Sequence, residues 1–289
     1  MTTDACPKRL YKYLAPERVD VLATATLRYS PFGAFNDPFE GRPHISAIAS
    51  DQQILDRLYS TLPDELKKGY EELPAQARAI ISFEQYRKKA NDLFQSQKPD
   101  LLRKLQDYTP AFMEYFHQKT NDLIGVLCLA EEPAIKLMWA HYAASSSGFV
   151  IEFDAHHEYF NGRLSEKDEL RYLRQVRYQE QRPSLPLSEM DAIQWMLVKS
   201  SDWEYEKEWR IFRPLADAQK THSATPYPVH LFGFPRQAIT GVILGAKIAP
   251  KTEASIRETL KAYSEYSAVQ LQRVRIDPAH YTLRIDLAN

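Results

Sequence analysis

Twelve residues from Lys199 to Arg210 hold two tryptophans, a tyrosine, four acidic and three basic side chains. Surface segments rarely carry that aromatic density, and core segments rarely carry that charge. The segment runs on into Ile211-Phe212-Arg213-Pro214, and the pattern predicts a strand from about Tyr205 to Arg213 after a helix ending near Lys199, with Asp202 as the turn or cap between them. On such a strand Glu206 and Glu208 project side by side, and adjacent carboxylates repel unless a cation, a proton or a ligand relieves them. Read instead as a helix, Lys199, Trp203, Glu206 and Arg210 fall on one face. Either geometry supports a carboxylate pair that does chemistry, and equally a Glu–Arg network that staples a strand edge.

Two other clusters carry comparable groups. Pro31 to Gly41 is a loop rich in turn formers that holds three phenylalanines together with Asn36, Asp37 and Glu40. Asn36-Asp37-Pro38 is a turn signal, because both polar side chains can bond nearby backbone and Pro38 fixes the φ that follows them. Trp139-Ala-His141-Tyr142 places a histidine among aromatics, as a packed residue or a base. Asp37 and Glu40, joined by Glu206 and Lys207, could gather around Mg²⁺, which would make a metal-dependent nuclease. His156-His157 has no third ligand spaced nearby and reads weakly as a metal site. Cys128 lies in an apolar run and reads as inert packing. Neither a Gly-x-Ser-x-Gly elbow nor a glycine-rich phosphate loop occurs among the nine glycines.

These groups need elements to position them. The 289 residues are 44% hydrophobic and 26% charged, the balance of an ordinary globular protein long enough for a substantial core. A formal net charge of -1 gives no whole-chain footprint for nucleic acid. Two cysteines are too few for a disulfide framework; the polar start, Met1 to Arg9, does not resemble a signal peptide, and no apolar run is long enough to span a membrane. A cytoplasmic location is expected. Leu10–Leu14 and Leu27–Ser30 read as strands around a helical turn opened by Pro16. Residues 50–120, rich in Lys, Glu, Gln and Leu, read as a helical insertion divided by Pro63, Pro74, Pro99 and Pro110. Beyond it come strands at Gly125–Leu129, Gly148–Phe153 and Tyr172–Tyr178. Between the first two of these, a helix starts on Glu131-Glu132-Pro133. A helix near Ser188–Val198 follows, then strands at Val229–Phe232, Ala238–Lys247, Val269–Ile276 and Tyr281–Leu287 and a helix over Lys251–Tyr263. The whole reads as one α+β domain over residues 1–289, with small antiparallel or mixed sheets around a cleft.

Four motifs occur in order: Tyr11-Lys12-Tyr13; Asn36-Asp-Pro-Phe-Glu40; Leu137-Met-Trp-Ala-His-Tyr142 with Gly148–Phe153; and Lys199…Trp203-x-Tyr-Glu206-x-Glu208-Trp-Arg210. Together they resemble the bacterial family catalogued as domain of unknown function 2971, from about Leu10 to Ile248. The family name assigns no reaction. The chain is also similar, more weakly, to the ADP-ribosyltransferase architecture, in which NAD binds between two small sheets. That resemblance implies Tyr11–Tyr13 as the early strand, Glu206-x-Glu208 as the late one and the Trp139–Tyr142 helix with Ser145–Ser147 as the middle element. It departs in carrying Lys12 where those enzymes have His or Arg. Breaking the nicotinamide bond builds positive charge on the ribose, which a carboxylate can stabilise, and Tyr11, Tyr13 and Trp139 could sandwich the ring.

The resulting expectation is a cleft that binds a nucleotide-like small molecule, with NAD as substrate and no other cofactor or metal. Glu206, Glu208 and His141 would do chemistry there. Tyr11, Lys12, Tyr13, Asn36, Asp37, Glu40, Trp139, Tyr142, Lys199, Trp203 and Arg210 would contact the ligand. The metal-dependent nuclease and a non-enzymatic interaction module are the alternatives.

Overall fold

The computed structural model describes residues 6–191 and 193–288. Most of the polar start read against a signal peptide lies outside them. The fold is α+β, and the chain divides into two compact units. One holds Met1–Arg42, Gln118–Arg182 and Ala192–Asn289; the other holds Pro43–His117 and Pro183–Asp191. Among the described residues no helix is long and apolar enough to cross a membrane.

The first unit is built on an eight-stranded mixed sheet. Its order is Leu283–Leu287, Gln270–Ile276, Ile239–Leu244, Phe149–Asp154, Arg9–Leu14, Ile124–Ala130, Glu208–Pro214, Arg174–Gln175. The Ile239–Leu244 and Gln270–Ile276 strands are parallel, and the helix Pro250–Ala262 connects them. Phe149–Asp154 is central, and its first five residues are buried because both faces of the sheet are covered. Phe149, Ile151 and Phe153 face a large core with Leu10, Leu127 and Ile211. Val150 faces the other way, into a smaller cluster with Tyr13, Met138, Trp139 and Ile243. That alternation is the period-2 signature of a strand.

The sheet has a defect between its fifth and sixth strands. Arg9–Leu14 pairs with Phe149–Asp154 along its whole length, but it meets Ile124–Ala130 only at Tyr11 opposite Ala130. The two strands then part. Further along, Val126 exchanges backbone hydrogen bonds with Ser30 instead, at 3.0 and 2.9 Å. The chain after Ser30 is the aromatic loop, so the loop arrives where the sheet opens.

Several elements differ from the sequence expectation. The helix after Glu131-Glu132-Pro133 starts only at Lys136, with Ile135 as its N-cap, because both glutamates are taken by tertiary partners. Glu131 accepts the Trp209 indole N–H at 2.7 Å, and Glu132 pairs with Lys207. The helix Lys136–Tyr142 ends in a left-handed run, with φ of 46, 55 and 72° at Ala144, Ser145 and Ser146. Gly148 follows, where a Cβ would come within 2.0 Å of the Leu14 carbonyl oxygen; only glycine lets that loop close on the strand. The single strand expected over Tyr172–Tyr178 breaks at Val176, whose N–H donates to the Glu208 carbonyl. Arg174–Gln175 edges the main sheet, while Arg177–Gln179 runs parallel to Val198–Ser200. The helix expected near Ser188–Val198 is replaced by two short 3-10 segments, Leu187–Glu189 and Gln194–Leu197; Ala192 between them lies outside the described residues.

The second unit holds the helices Asp51–Glu71 and Ala75–Ile80 and most of Phe83–Leu123, with the short parallel pair His44–Ile45 and Ser184–Leu185. Ser50 and Gln53 form a reciprocal capping box that starts the first helix. Of the four prolines expected to divide this region, only Pro74 separates helices. Pro63 lies inside Asp51–Glu71, and Pro99 and Pro110 lie inside Phe83–Leu123. Each removes one backbone hydrogen bond, a local loss that long flanking runs of good helix formers outweigh.

Candidate functional site

The Lys199–Arg210 segment is neither one helix nor one strand. Lys199 sits in the strand Val198–Ser200, and Ser201–Glu206 forms a 3-10 helix capped by the Ser200 hydroxyl. Lys207 then adopts the left-handed conformation, with φ of 44°, and Glu208 opens the strand Glu208–Pro214. Glu206 and Glu208 therefore do not share a strand face as expected. The left-handed turn between them brings both carboxylates to one cation. Lys199 Nζ donates to Glu206 Oε2 at 2.6 Å and to Glu208 Oε2 at 3.1 Å, and it pairs with Glu40 Oε2 at 3.3 Å.

Arg210 completes the network from below. Its Nε and Nη2 donate to Glu208 at 2.8 and 3.0 Å, its Nη1 donates to the Met196 carbonyl at 2.6 Å, and it also pairs with Glu40. Glu40, Lys199, Glu206, Glu208 and Arg210 are all buried. Buried charge must be paired to be tolerated, and here three carboxylates share two cations. Burial disfavours the charge on Lys199, but Glu208 and Glu206 outweigh that and raise its pKa. Burial also pushes the Glu208 carboxyl up, against the pull of Lys199. Burial works against the Arg210 guanidinium as well, while the nearby charge of Asp37 supports it.

Above this network lies a cavity of about 210 Å³. It opens at the sheet defect, where Tyr11, Lys12 and Tyr13 line one wall and Cys128, Leu129 and Ala130 the other. Lys12 Nζ donates to the Cys128 carbonyl at 2.9 Å. The aromatic loop contributes Phe35, Asn36, Asp37 and Glu40. Tyr142 and Trp203 close it beside Lys199, Glu206 and Glu208. The Tyr142 hydroxyl donates to Glu206 Oε1 at 2.8 Å, and Lys199 Nζ lies 5.0 Å from the centre of the Trp203 ring. Burial, then Glu206, raises the Tyr142 hydroxyl pKa, so it is a donor and not a base.

Three of the expected site residues do not line this cavity. Trp139 is buried behind it, edge-on to Tyr13 at 5.4 Å, with its indole N–H on the Pro133 carbonyl. Its flat apolar body is used by the core, which leaves no face for a ligand. Arg210 lies beneath Glu208 and holds it in place. His141 is exposed and stands beside Trp203, 6.2 Å between ring centres. One residue turn along a short helix separates it from Tyr142, which points inward. Lys207, which the metal reading needs, pairs with Glu132 half-exposed at the surface.

The cavity also contains residues that the sequence reading passed over. Cys128, inert packing by sequence alone, lines the cavity; burial and the neighbouring Glu208 raise its thiol well above the usual range, so it is protonated and a poor nucleophile. Phe35 belongs to the aromatic loop, whose density was the available signal. Ser30 and Met138 gave none.

The molecule is thus an α+β protein whose sheet opens onto a cavity floored by buried ion pairs. Residues 138–211 match the model of a family described as Protein of unknown function (DUF2971). That segment contains Tyr142, Lys199, Trp203, Glu206 and Glu208 of the cavity and supports the family resemblance read from the motifs. No curated protein and no solved structure matches the chain.

Proposed function

We propose that this cavity binds the ring end of a nucleotide-like small molecule, and that NAD is a substrate of this type. The observation that carries the reading is the joint lining: aromatic side chains from Tyr11, Tyr13, Phe35, Tyr142 and Trp203 surround the same space as the buried carboxylates. A volume of about 210 Å³ is below the ~300–1,000 Å³ of ordinary ligand clefts. It suits one heteroaromatic ring and excludes a whole dinucleotide, whose phosphates would remain outside. Nor would phosphate be welcome inside, because Lys199 is already bonded to carboxylates and Lys12 to a carbonyl.

Under the transferase form of this reading the bond between ribose C1′ and the nicotinamide nitrogen breaks, and its electron pair leaves with nicotinamide. An acceptor nucleophile then takes C1′ and gives up its proton. Glu206 suits the role of stabilising the ribose cation better than Glu208. Each oxygen of Glu206 accepts one side-chain bond, whereas Glu208 is gripped by both Lys199 and Arg210. The nuclease alternative has less support. Among the described residues no three His, Cys, Asp or Glu side chains are grouped to hold a metal, and lysine and arginine occupy the carboxylate oxygens the ion would need.

The test is a thermal-shift titration with NAD, ADP-ribose, ATP and MgCl₂ in parallel. A ligand at 100 times its Kd adds about 2.7 kcal/mol, which moves the melting temperature by a few degrees. The expected result is a rise with NAD or ADP-ribose that shrinks in Glu206→Gln. A rise with MgCl₂ alone would favour the nuclease, and no rise with any of the four would favour an interaction module.

A further inference from the structure

The ion pairs leave one carboxylate out. Asp37 is only 7% exposed and lines the cavity. Its Oδ1 accepts the Phe39 backbone N–H at 2.9 Å, which holds the side chain in place. Its Oδ2 is buried and accepts no hydrogen bond. Lys199 spends its three donors on Glu40, Glu206 and Glu208, and Arg210 bonds Glu40, Glu208 and the Met196 carbonyl; Asp37 feels the Arg210 charge but takes no hydrogen bond from it. Lys12, the remaining cation of the lining, donates to a backbone carbonyl. A buried acceptor left without a partner is costly, and more so on a charged group. A fold that keeps one at the wall of a cavity, among aromatic rings, is poised for a guest that brings a cationic partner into direct contact with it.

We infer that Asp37 is the group that reads the ligand, and that the cavity selects a planar, delocalised cation over a neutral ring of the same shape. The aromatic lining favours such a cation further, since the faces of Tyr and Trp rings attract it. The inference rests on the cavity being a ligand site for a ring, as proposed above, and narrows the class. Two sources share this chemistry: the pyridinium of an oxidised nicotinamide nucleotide, and a guanidinium. A small pair of probes isolates the charge. Nicotinamide and N1-methylnicotinamide have the same ring and carboxamide and differ in the methyl group and the positive charge it confers.

Binding of both probes, of NAD and its reduced form, and of agmatine would be measured by calorimetry on the wild-type protein and on Asp37→Asn. The wild type is expected to bind N1-methylnicotinamide about 10- to 100-fold tighter than nicotinamide, through contact of its fixed charge with the Asp37 carboxylate and the aromatic faces, since the methylated nitrogen has no N–H to donate. Asp37→Asn, nearly the same shape without the charge, is expected to lose most of that preference. Oxidised over reduced NAD preference in the wild type would assign the pyridinium source, and agmatine binding without NAD binding the guanidinium. In that last case the nucleotide reading falls while the cation inference stands. Equal binding of the two nicotinamides by the wild type would overturn the inference while leaving the nucleotide reading intact, and this comparison does not depend on the variant folding. Unchanged discrimination in a folded Asp37→Asn would overturn the role of Asp37.

Discussion

The Lys12 amine donates to the Cys128 carbonyl at 2.9 Å across the gap between two strands that pair at one position only. A backbone carbonyl in a sheet normally accepts a strand N–H; here a side chain supplies the donor, and the sheet can open without leaving that group unsatisfied. Burial lowers the Lys12 pKa, so the position carries a cost that the bond must offset. The cavity opens beside this exchange, with Lys12 and Cys128 both in its lining.

Lys12→Met should therefore lower stability by about 1–3 kcal/mol, the cost of orphaning a buried carbonyl. Urea denaturation would measure it. A variant as stable as the wild type would mean that burying the amine costs as much as its hydrogen bond returns.

Lys199→Met should be more damaging. It leaves Arg210 against Glu40 and Glu208 and takes the bonded cation from Glu206, and breaking a buried ion pair from one side costs about 3–5 kcal/mol. Adding Glu206→Gln to that variant should recover part of the loss, and a double-mutant cycle would read the recovery. Strict additivity would show that the two residues do not interact.

The pH dependence has a definite sign. The folded-state pKa of Lys199 is raised above its ordinary value of 10.5, so its contribution is complete below that pH and declines as pH rises beyond it toward the folded value. Denaturation at pH 8, 10 and 11 should show a constant gap between wild type and Lys199→Met up to about pH 10 and a narrowing gap above. A gap that widened with pH would contradict the assignment.

Lys207 occupies the left-handed region at φ 44°, where a side chain costs roughly 1–2 kcal/mol. Its ion pair with Glu132 is half-exposed and contributes little. Lys207→Gly should thus stay within about 0.5 kcal/mol of the wild type, because relief of strain offsets the lost pair and the added chain entropy. Lys207→Val, β-branched, should cost more than about 1 kcal/mol by thermal melt. Equal tolerance of both would mean that the turn between Glu206 and Glu208 is not needed.

The local sequence was enough for the strands at the centre of the sheet and for most of the cavity's membership. Alternation in Leu10–Leu14 and the apolar run Phe149–Phe153 specify strands wherever they pack, because period and propensity act over neighbouring residues. Charge density among aromatics marked Lys199, Glu206 and Glu208 in the same local way, and turn chemistry marked Asp37. What the sequence could not reveal is which charges meet. Glu206 and Glu208 converge on Lys199 through a left-handed residue that is neither glycine nor asparagine, and no local preference predicts it. Trp139 and His141 lie two residues apart in a helix, and only packing against Tyr13 sends one inward and leaves the other exposed. The partnerless Oδ2 of Asp37 is the furthest from view. Whether a carboxylate is paired depends on every cation that folding brings near it, and Lys199 and Arg210 come from far along the chain while Lys12 comes from the strand before the loop.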